Sequence, residues 1–390
     1  MYALASVVLA APVFIGLYAY AIYPAILWII ARSRRARSVP ALMGDFPSVT
    51  LTLPVYNAAS TIRSTLERLM ELDYPREKLQ ILVLSDASTD GTDDIVRSFS
   101  SRGVQLVRAA ERRGKTAAEN AAVPLATGEI IVNMDATVGV PADSLRKLVA
   151  AFNDPSVGVA SGRDVSVRSF PSNVGGEAGY VGYEMWVRAL ETAAGSIVGA
   201  SGCFFAIRKD VHDEPIPAEL SWDFASTLVA RQKGYRSVSV ADAVCLVPST
   251  DRVSTERARK SRTMARGLST LFHFRALMNP FKYGGFALML ISHKLMRWLP
   301  YLLVPAALVA LALLATESNV AGAALVSCAL VTACGIVPIR FPRAGSVRLF
   351  RLSAFVVATL SAGFLAWFDA LRGERKAIWN PTPRPAPLAP

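Results

Sequence analysis

Residues 2 to 31 carry no charged side chain and are mostly apolar, and this segment constrains the fold more than any other feature of the 390-residue chain. It is longer than the roughly 20 residues that cross a bilayer as a helix. Arg32, Arg34, Arg35 and Arg37 follow at once. A signal peptide places its charges before a shorter apolar core and ends in a small-residue cleavage site, so the pattern predicts a retained anchor over 1–31 with a cytoplasmic C-terminal flank.

Apolar residues make up 52% of the chain and gather at its two ends. Beyond residue 285 they return in 301–315, 320–339 and 352–368, which predicts at least three more passes within a bundle over 300–370. The segment 284–300 admits three readings: an interfacial helix, the start of the next pass, or a re-entrant element. The stretches 340–351 and 372–384 are both basic, although one pass between them would put them on opposite sides, so charge does not orient the last pass. The formal net charge of +12 sits largely beside membrane segments and on one late helix. That placement suits anionic lipid heads and a phosphorylated substrate, and nucleic acid is excluded as the expected partner. Cys203, Cys245, Cys328 and Cys334 lack paired metal-ligand spacing and are read as packing residues.

Between the apolar ends, residues 46–250 alternate short β-like runs with amphipathic stretches, the pattern of an α/β domain with a mostly parallel sheet. Strands are predicted near 48–53, 80–85, 104–107, 129–134, 157–161, 202–207 and 236–240. Helices are predicted over 60–72, 92–100, 115–126, 143–152, 180–194 and 223–233. Residues 251–299 mix charge with aromatic and aliphatic side chains, which predicts interfacial helices joining the domain to the bundle. The basic, proline-rich tail, 371–390, is expected to be extended.

Three of the predicted strands end in polar residues, and ligands of parallel sheets collect at the carboxyl ends of strands. Asp135 closes the apolar run 129–134. A carboxylate there is the right type and position for a hard divalent cation, Mg²⁺ or Mn²⁺, and nothing helical is expected before Pro141, which disfavours a simple capping role. Asp86 ends the second strand, in line to accept hydrogen bonds from a base edge or ribose. Asp90 and Thr92, in the turn after it, read as helix caps. Pro54, Tyr56 and Asn57 form an aromatic and amide-bearing turn beside Asp86, a candidate nucleoside pocket.

The sequence from Arg112 to Thr116 lacks the first glycine of a phosphate loop, and that motif is rejected. Lys115 remains either a phosphate or sugar contact at a helix start, or a solvated lysine. Asp223, opening a helix after Ser221 and Trp222, is either a charge favoured by the helix dipole or a general base. The run Arg259 to Arg262 either neutralises a leaving diphosphate or forms a lipid-facing basic stripe.

Taken in order, these segments resemble the membrane-integrated family-2 glycosyltransferases, the group that includes cellulose, chitin, hyaluronan and poly-N-acetylglucosamine synthases. The resemblance rests on the anchor, Pro54-Val-Tyr56-Asn57, the run 84–92, Gly114-Lys115 with Asn120, the run 126–129, Asp135-Ala136-Thr137, the run 199–202, Trp222-Asp223, the run 259–262, Asn279-Pro280 and the run 292–298. It implies a GT-A type nucleotide-sugar-binding fold, with Tyr56 and Asp86 at the nucleoside and Asp135 at the metal and diphosphate. It also implies Gly202 and Trp222 at the acceptor, Asp223 as catalytic base and Arg262 at the diphosphate.

The sequence departs from the family pattern where Thr137 replaces a second aspartate and where Arg262 stands without the Gln and Trp of the QxxRW motif. The expected activity is inverting transfer from a nucleotide sugar, a UDP-sugar by expectation, to make or extend a cell-surface polysaccharide. The alternatives are single-sugar transfer to a lipid acceptor, polyprenyl phosphate or glycolipid, and a catalytically retired nucleotide-sugar-binding subunit. The expected setting is a multi-pass protein of the inner membrane with a cytoplasmic catalytic domain, in contact with membrane lipids, with room for a partner subunit in glycan export.

Overall fold

The structure is a computed structural model and describes residues 1–34, 45–167, 175–248, 253–341, 343–344, 347–373 and 378. The chain divides into two units, Met1–Ala25 with Arg252–His273 and Ala287–Glu374, and Ile26–Asp251 with Phe274–Phe286 and Arg375–Pro390.

The second unit is built on seven strands: β1 (Val49–Val55), β2 (Leu79–Ser85), β3 (Val104–Arg108), β4 (Ile130–Met134), β5 (Val157–Val167), β6 (Phe204–Arg208) and β7 (Arg236–Pro248). They form one mixed sheet of order β3-β2-β1-β4-β6-β5-β7, parallel except where β6 runs against β4 and β5. Every residue of β1 is buried, as expected of a central strand covered on both faces. Leu51, Leu53, Ile81 and Val83 face a core completed by Ile62, Leu66, Leu145 and Leu148, while Leu82 and Leu84 face Ala118 and Ala122. This alternation is the period-2 consequence of the strand and seats one helix layer on each side.

Pro54 lies in β1 opposite Leu84 of β2 but beyond Thr52, the last β1 residue paired with β4. A proline is tolerated there because the ladder to β4 has already ended. The register sets Val55 beside Ser85, so β1 and β2 finish together and their following turns share one edge. Strands β5 and β7 extend well past their expected ends, paired in parallel through Val167 and Pro248 with two register shifts.

In the helical unit, Tyr2–Leu17 packs along Met296–Leu314, and Val253–His273 packs on Arg348–Leu371. Ala265, Leu268, Ala366 and Trp367 fill the latter contact, and the Trp367 indole donates to the Trp298 carbonyl at 2.9 Å. Four described helices are long and apolar enough to cross a membrane: Tyr2–Ser33, Gly285–Leu314, Asn319–Pro338 and Arg348–Leu371. The segment 284–300 is thereby placed at the start of a long helix that continues unbroken through 299 and 300, with a π-turn at Ile291–Leu295. Cys328 is exposed rather than packed, since only 6% of its helix's apolar window is buried.

Candidate functional site

The site begins at the shared edge where β1, β2 and β4 end. Asp86 follows β2 and is nearly fully buried. Its two carboxylate oxygens accept the backbone N–H groups of Arg113 at 2.7 Å and Gly114 at 3.0 Å. Gly114 holds φ at 89°, a left-handed conformation that a side chain would strain, and so lets the chain turn its amides onto Asp86 before the helix Lys115–Ala122 begins.

The Arg112 guanidinium lies 3.7 Å from the centroid of the Tyr56 ring, with its Nε 3.9 Å from Asp86. Among the described residues, Asn57 and Ala87, one in each strand-end turn, are the two non-glycine residues with positive φ, 49° and 58°. The Asn57 side chain accepts the Thr89 N–H at 2.9 Å, and the Asn57 N–H donates to Ser88 at 3.1 Å, tying the two turns together. Asp90 adds a third tie by accepting the Ala59 N–H at 2.9 Å. The structure corrects the capping reading here: Gly91 holds the capping position, and Asp90 accepts from Thr92 N–H at 3.1 Å while bridging the turns.

Lys115 joins the second half of the site to the first. Its ammonium is 2.5 Å from Asp135 Oδ1 and donates to the Gly202 carbonyl at 3.0 Å. Burial opposes the charge on Lys115, but Asp135, Glu119 and Asp223 outweigh it and raise its pKa. This is not the solvated lysine that stood as one reading. Asp135 is fixed in turn by its N–H, which donates to the Cys203 carbonyl at 3.0 Å. Gly202 borders Asp223: a β-carbon placed on Gly202 would fall 3.2 Å from Asp223 Oδ2. The other Asp223 oxygen accepts the Ser221 hydroxyl at 2.7 Å.

Tyr56, Asp86, Lys115, Asp135, Gly202 and Asp223 thus form one continuous run of contacts. Two of the expected contact residues, Trp222 and Pro54, are buried. Trp222 is only 3% exposed, its indole N–H donates to Asn133 at 3.1 Å and its ring stacks on His212 at 4.3 Å. Through these contacts it anchors the helix that carries Asp223. Pro54 is buried inside β1 and shapes the turn rather than lining it. Arg262 lies half-buried on Val253–His273 in the helical unit.

Sequence reasoning overlooked the buried layer beneath Lys115. Glu119 is 1% exposed and accepts the Thr52 hydroxyl at 2.9 Å. Burial raises its pKa to about 7 against the opposing pull of Lys115 and Thr52. Its position one helical turn after Lys115 was the available signal. His212 is likewise held neutral, its pKa lowered to about 3 by burial and by Lys233. A cavity of about 960 Å³, lined by Asn120, Glu129, Lys209 and His212 among others, opens at the opposite end of the strands, where β4 starts and β6 ends, and contains none of the candidate residues.

A divalent cation has one carboxylate here, since Thr137 follows where a second might stand. Among the described residues no group of three His, Cys, Asp or Glu side chains could hold a metal ion. A lone carboxylate suits Mg²⁺ or Mn²⁺ only where substrate phosphates complete the shell.

A mostly parallel seven-stranded sheet, with turns at the carboxyl ends of β1, β2 and β4 and a carboxylate at the last of these strand ends, defines the GT-A type of nucleotide-sugar-binding fold. Residues 50–214 match the family described as glycosyl transferase family 2. A mannosyltransferase from Pyrobaculum calidifontis, solved in complex with GDP-Man and Mn²⁺, is 25% identical and superposes with a TM-score of 0.72 over 96% of this chain and 99% of that one. A poly-beta-1,6-N-acetyl-D-glucosamine synthase of Staphylococcus aureus is 26% identical over 219 residues, 53% of this chain and 52% of that protein. A beta-monoglucosyldiacylglycerol synthase of Nostoc sp. is 27% identical over 195 residues, 47% of this chain. The chain spans only about half or less of the length of these curated relatives, 52% and 40%.

Proposed function

We propose that this chain is an inverting glycosyltransferase that moves a sugar from a nucleoside-diphosphate sugar to an acceptor hydroxyl at a membrane surface. The observation that carries the reading is Asp223, whose carboxylate oxygen lies 3.2 Å from where a β-carbon on Gly202 would stand, while the Lys115 ammonium contacts the carbonyl of that same residue. A base and a cation thus flank one short backbone segment.

Tyr56 and the Asp86 turn receive the nucleoside, and Lys115 faces the diphosphate. Asp223 removes the proton of the acceptor hydroxyl, and the oxygen attacks the anomeric carbon from the face opposite the leaving group. The bond from that carbon to the diphosphate oxygen breaks, and the electron pair leaves with the nucleoside diphosphate. Lys115 stabilises the charge that develops. Where Mg²⁺ or Mn²⁺ is bound, Asp135 holds it and the ion supplies further charge neutralisation to the diphosphate. The solved relative with GDP-Man and Mn²⁺ supports both donor class and metal, and it sets a GDP-sugar beside the expected UDP-sugar.

Extension of a cell-surface polysaccharide is the first reading of the product, supported by the Staphylococcus aureus relative. Single transfer to a lipid is the second, supported by the Nostoc relative and by the missing Gln and Trp around Arg262. The proposal sets the catalytic domain on the cytoplasmic side, where nucleotide sugars are made, and the four apolar helices, long enough to span a bilayer, support a membrane setting. Membranes containing the protein, supplied with Mg²⁺ or Mn²⁺ and a panel of UDP- and GDP-sugars, should release nucleoside diphosphate from one of them. A ladder of products supports polymer extension, and one added sugar supports the lipid reading. No release from any donor would leave a retired binding subunit and remove the enzymatic proposal.

A further inference from the structure

The segment 199–202 has two sides. On the side of the reaction, Gly202 receives Lys115 and abuts Asp223, and the adjoining Cys203 carbonyl receives the Asp135 N–H. On the other side it is held by side chains that the reaction does not use. Arg188, only 8% exposed on the helix Gly175–Ala194, donates from Nη2 to the Ala200 carbonyl at 3.3 Å and from Nη1 to the Ser161 hydroxyl at 3.4 Å. Ser161 Oγ also accepts the Ser201 N–H at 2.9 Å. The Ser201 hydroxyl donates to the Asp164 carboxylate, at 2.6 and 2.7 Å from its two oxygens.

Two further buried carboxylates sit on the same helix. Glu184 lies 3.7 Å from Arg188 Nε, and Glu191 accepts the Val198 N–H at 3.4 Å. Burying a guanidinium is costly unless its charge and its donors are met, and an apolar side chain of similar volume would serve packing as well. What the apolar side chain could not do is hold a carbonyl and a hydroxyl at fixed positions. Arg188 reaches a backbone carbonyl two residues from Gly202, and through Ser161 it reaches the amide of Ser201.

We propose that Arg188 is a positioning residue, which fixes the segment 199–202 from behind so that Gly202 stays between Lys115 and Asp223. The consequence for the reaction rests on the glycosyltransferase reading, but the mechanical claim does not. Misplacement of reacting groups by about 1 Å can cost on the order of 10²-fold in rate. Arg188 touches neither Lys115 nor Asp223, so its loss should act on geometry at the acceptor side and leave the nucleoside turns intact.

The test uses the full chain in detergent or nanodiscs, as wild type, Arg188→Met, Arg188→Lys and Ser201→Ala. Amide hydrogen exchange is the first readout. Arg188→Met should speed exchange at Val198 and Ser201 by about tenfold or more, corresponding to local opening, with β1 and β2 unchanged. Arg188→Lys should restore part of that protection. Ser201→Ala, which keeps the buried charge and removes the Asp164 tie together with the bond that the Ser201 hydroxyl accepts from the Cys203 N–H at 3.2 Å, should loosen the same amides to a smaller degree and guards against misfolding of Arg188→Met. Unchanged exchange at 198–203 in both Arg188→Met and Ser201→Ala overturns the inference. Turnover is the second readout: Arg188→Met should lower kcat or raise the acceptor KM about 10- to 100-fold while nucleotide affinity moves less than about twofold. A parallel loss of nucleotide affinity would also overturn it. An inactive wild type with the exchange result intact would count against the glycosyltransferase reading alone.

Discussion

The Lys115 ammonium lies 2.5 Å from Asp135 Oδ1, in the position where a cation on that carboxylate would stand. Both side chains are partly shielded, 17% and 22% exposed, so the pair is screened less than a surface ion pair. Without a nucleotide, a divalent ion must therefore compete with a covalently tethered ammonium for a single carboxylate.

The nucleotide-free protein should bind Mn²⁺ weakly, and addition of UDP or GDP should tighten binding at least about tenfold as the diphosphate supplies further oxygens. Lys115→Met should raise Mn²⁺ affinity in the nucleotide-free state by a few-fold, and Asp135→Asn should remove the nucleotide-dependent gain. Titration followed by the electron paramagnetic resonance of free Mn²⁺ measures all three. A tight site in the nucleotide-free wild type contradicts the competition.

Glu119 gives a pH dependence with a definite sign. Burial raises its carboxyl from 4.5 to about 7, against Lys115 and the Thr52 hydroxyl, which pull it down. The folded protein thus holds this proton more tightly than the unfolded chain. Stability from this group is present below about 4.5 and is lost as pH rises to about 7, after which the loss is constant. Glu119→Gln should therefore gain stability over the wild type as pH climbs through that window, by on the order of 1–3 kcal/mol at full extent. Thermal unfolding of both proteins from about pH 5 to about pH 8 reads the difference, and a constant offset would refute the assignment.

Gly202 offers a test of the contact with the base. A β-carbon there would lie 3.2 Å from Asp223 Oδ2, closer than comfortable packing, so Gly202→Ala must displace the carboxylate or the backbone by a few tenths of an ångström. The expected outcome is a fall in kcat of about 10- to 100-fold with nucleotide affinity nearly unchanged. Equal losses in both would mean that the alanine disturbs the domain rather than the base.

Much of this arrangement was legible in the sequence because the responsible signals are local. The seven strands declared themselves as short apolar runs, and Asp86 and Asp135 stood out because each ends such a run. The lengths of β5 and β7 were not legible, since their outer halves mix polar and small residues and owe their strand form to pairing with each other. The burial of Trp222 was not legible for a related reason. Its sequence position beside Asp223 says nothing about which way the ring turns, and the choice is made by Asn133 on β4 and by His212, 89 and 10 residues away. Glu119 and Arg188 were overlooked because a charged residue on an amphipathic helix reads as solvent-facing until the elements packed against it are known.

Asp223 carries the chemistry in this reading, and its surroundings separate catalysis from binding. It occupies the first turn of Trp222–Gln232, where the helix dipole favours its charge, and the Ser221 hydroxyl fixes one of its oxygens. The nucleoside side of the site, Tyr56 and the Asp86 turn, is held by a different set of hydrogen bonds, donated by the N–H groups of Arg113, Gly114 and Thr89 and by the Asn57 N–H to Ser88. Asp223→Asn keeps the size and the bond to Ser221 but removes the proton acceptor. Loss of a general base costs about 10²- to 10⁴-fold. Turnover should fall by at least that factor while UDP or GDP binding, followed by calorimetry, changes less than about twofold. A variant that retains a tenth or more of wild-type turnover would remove Asp223 as the base and return it to the role of a helix-terminal charge.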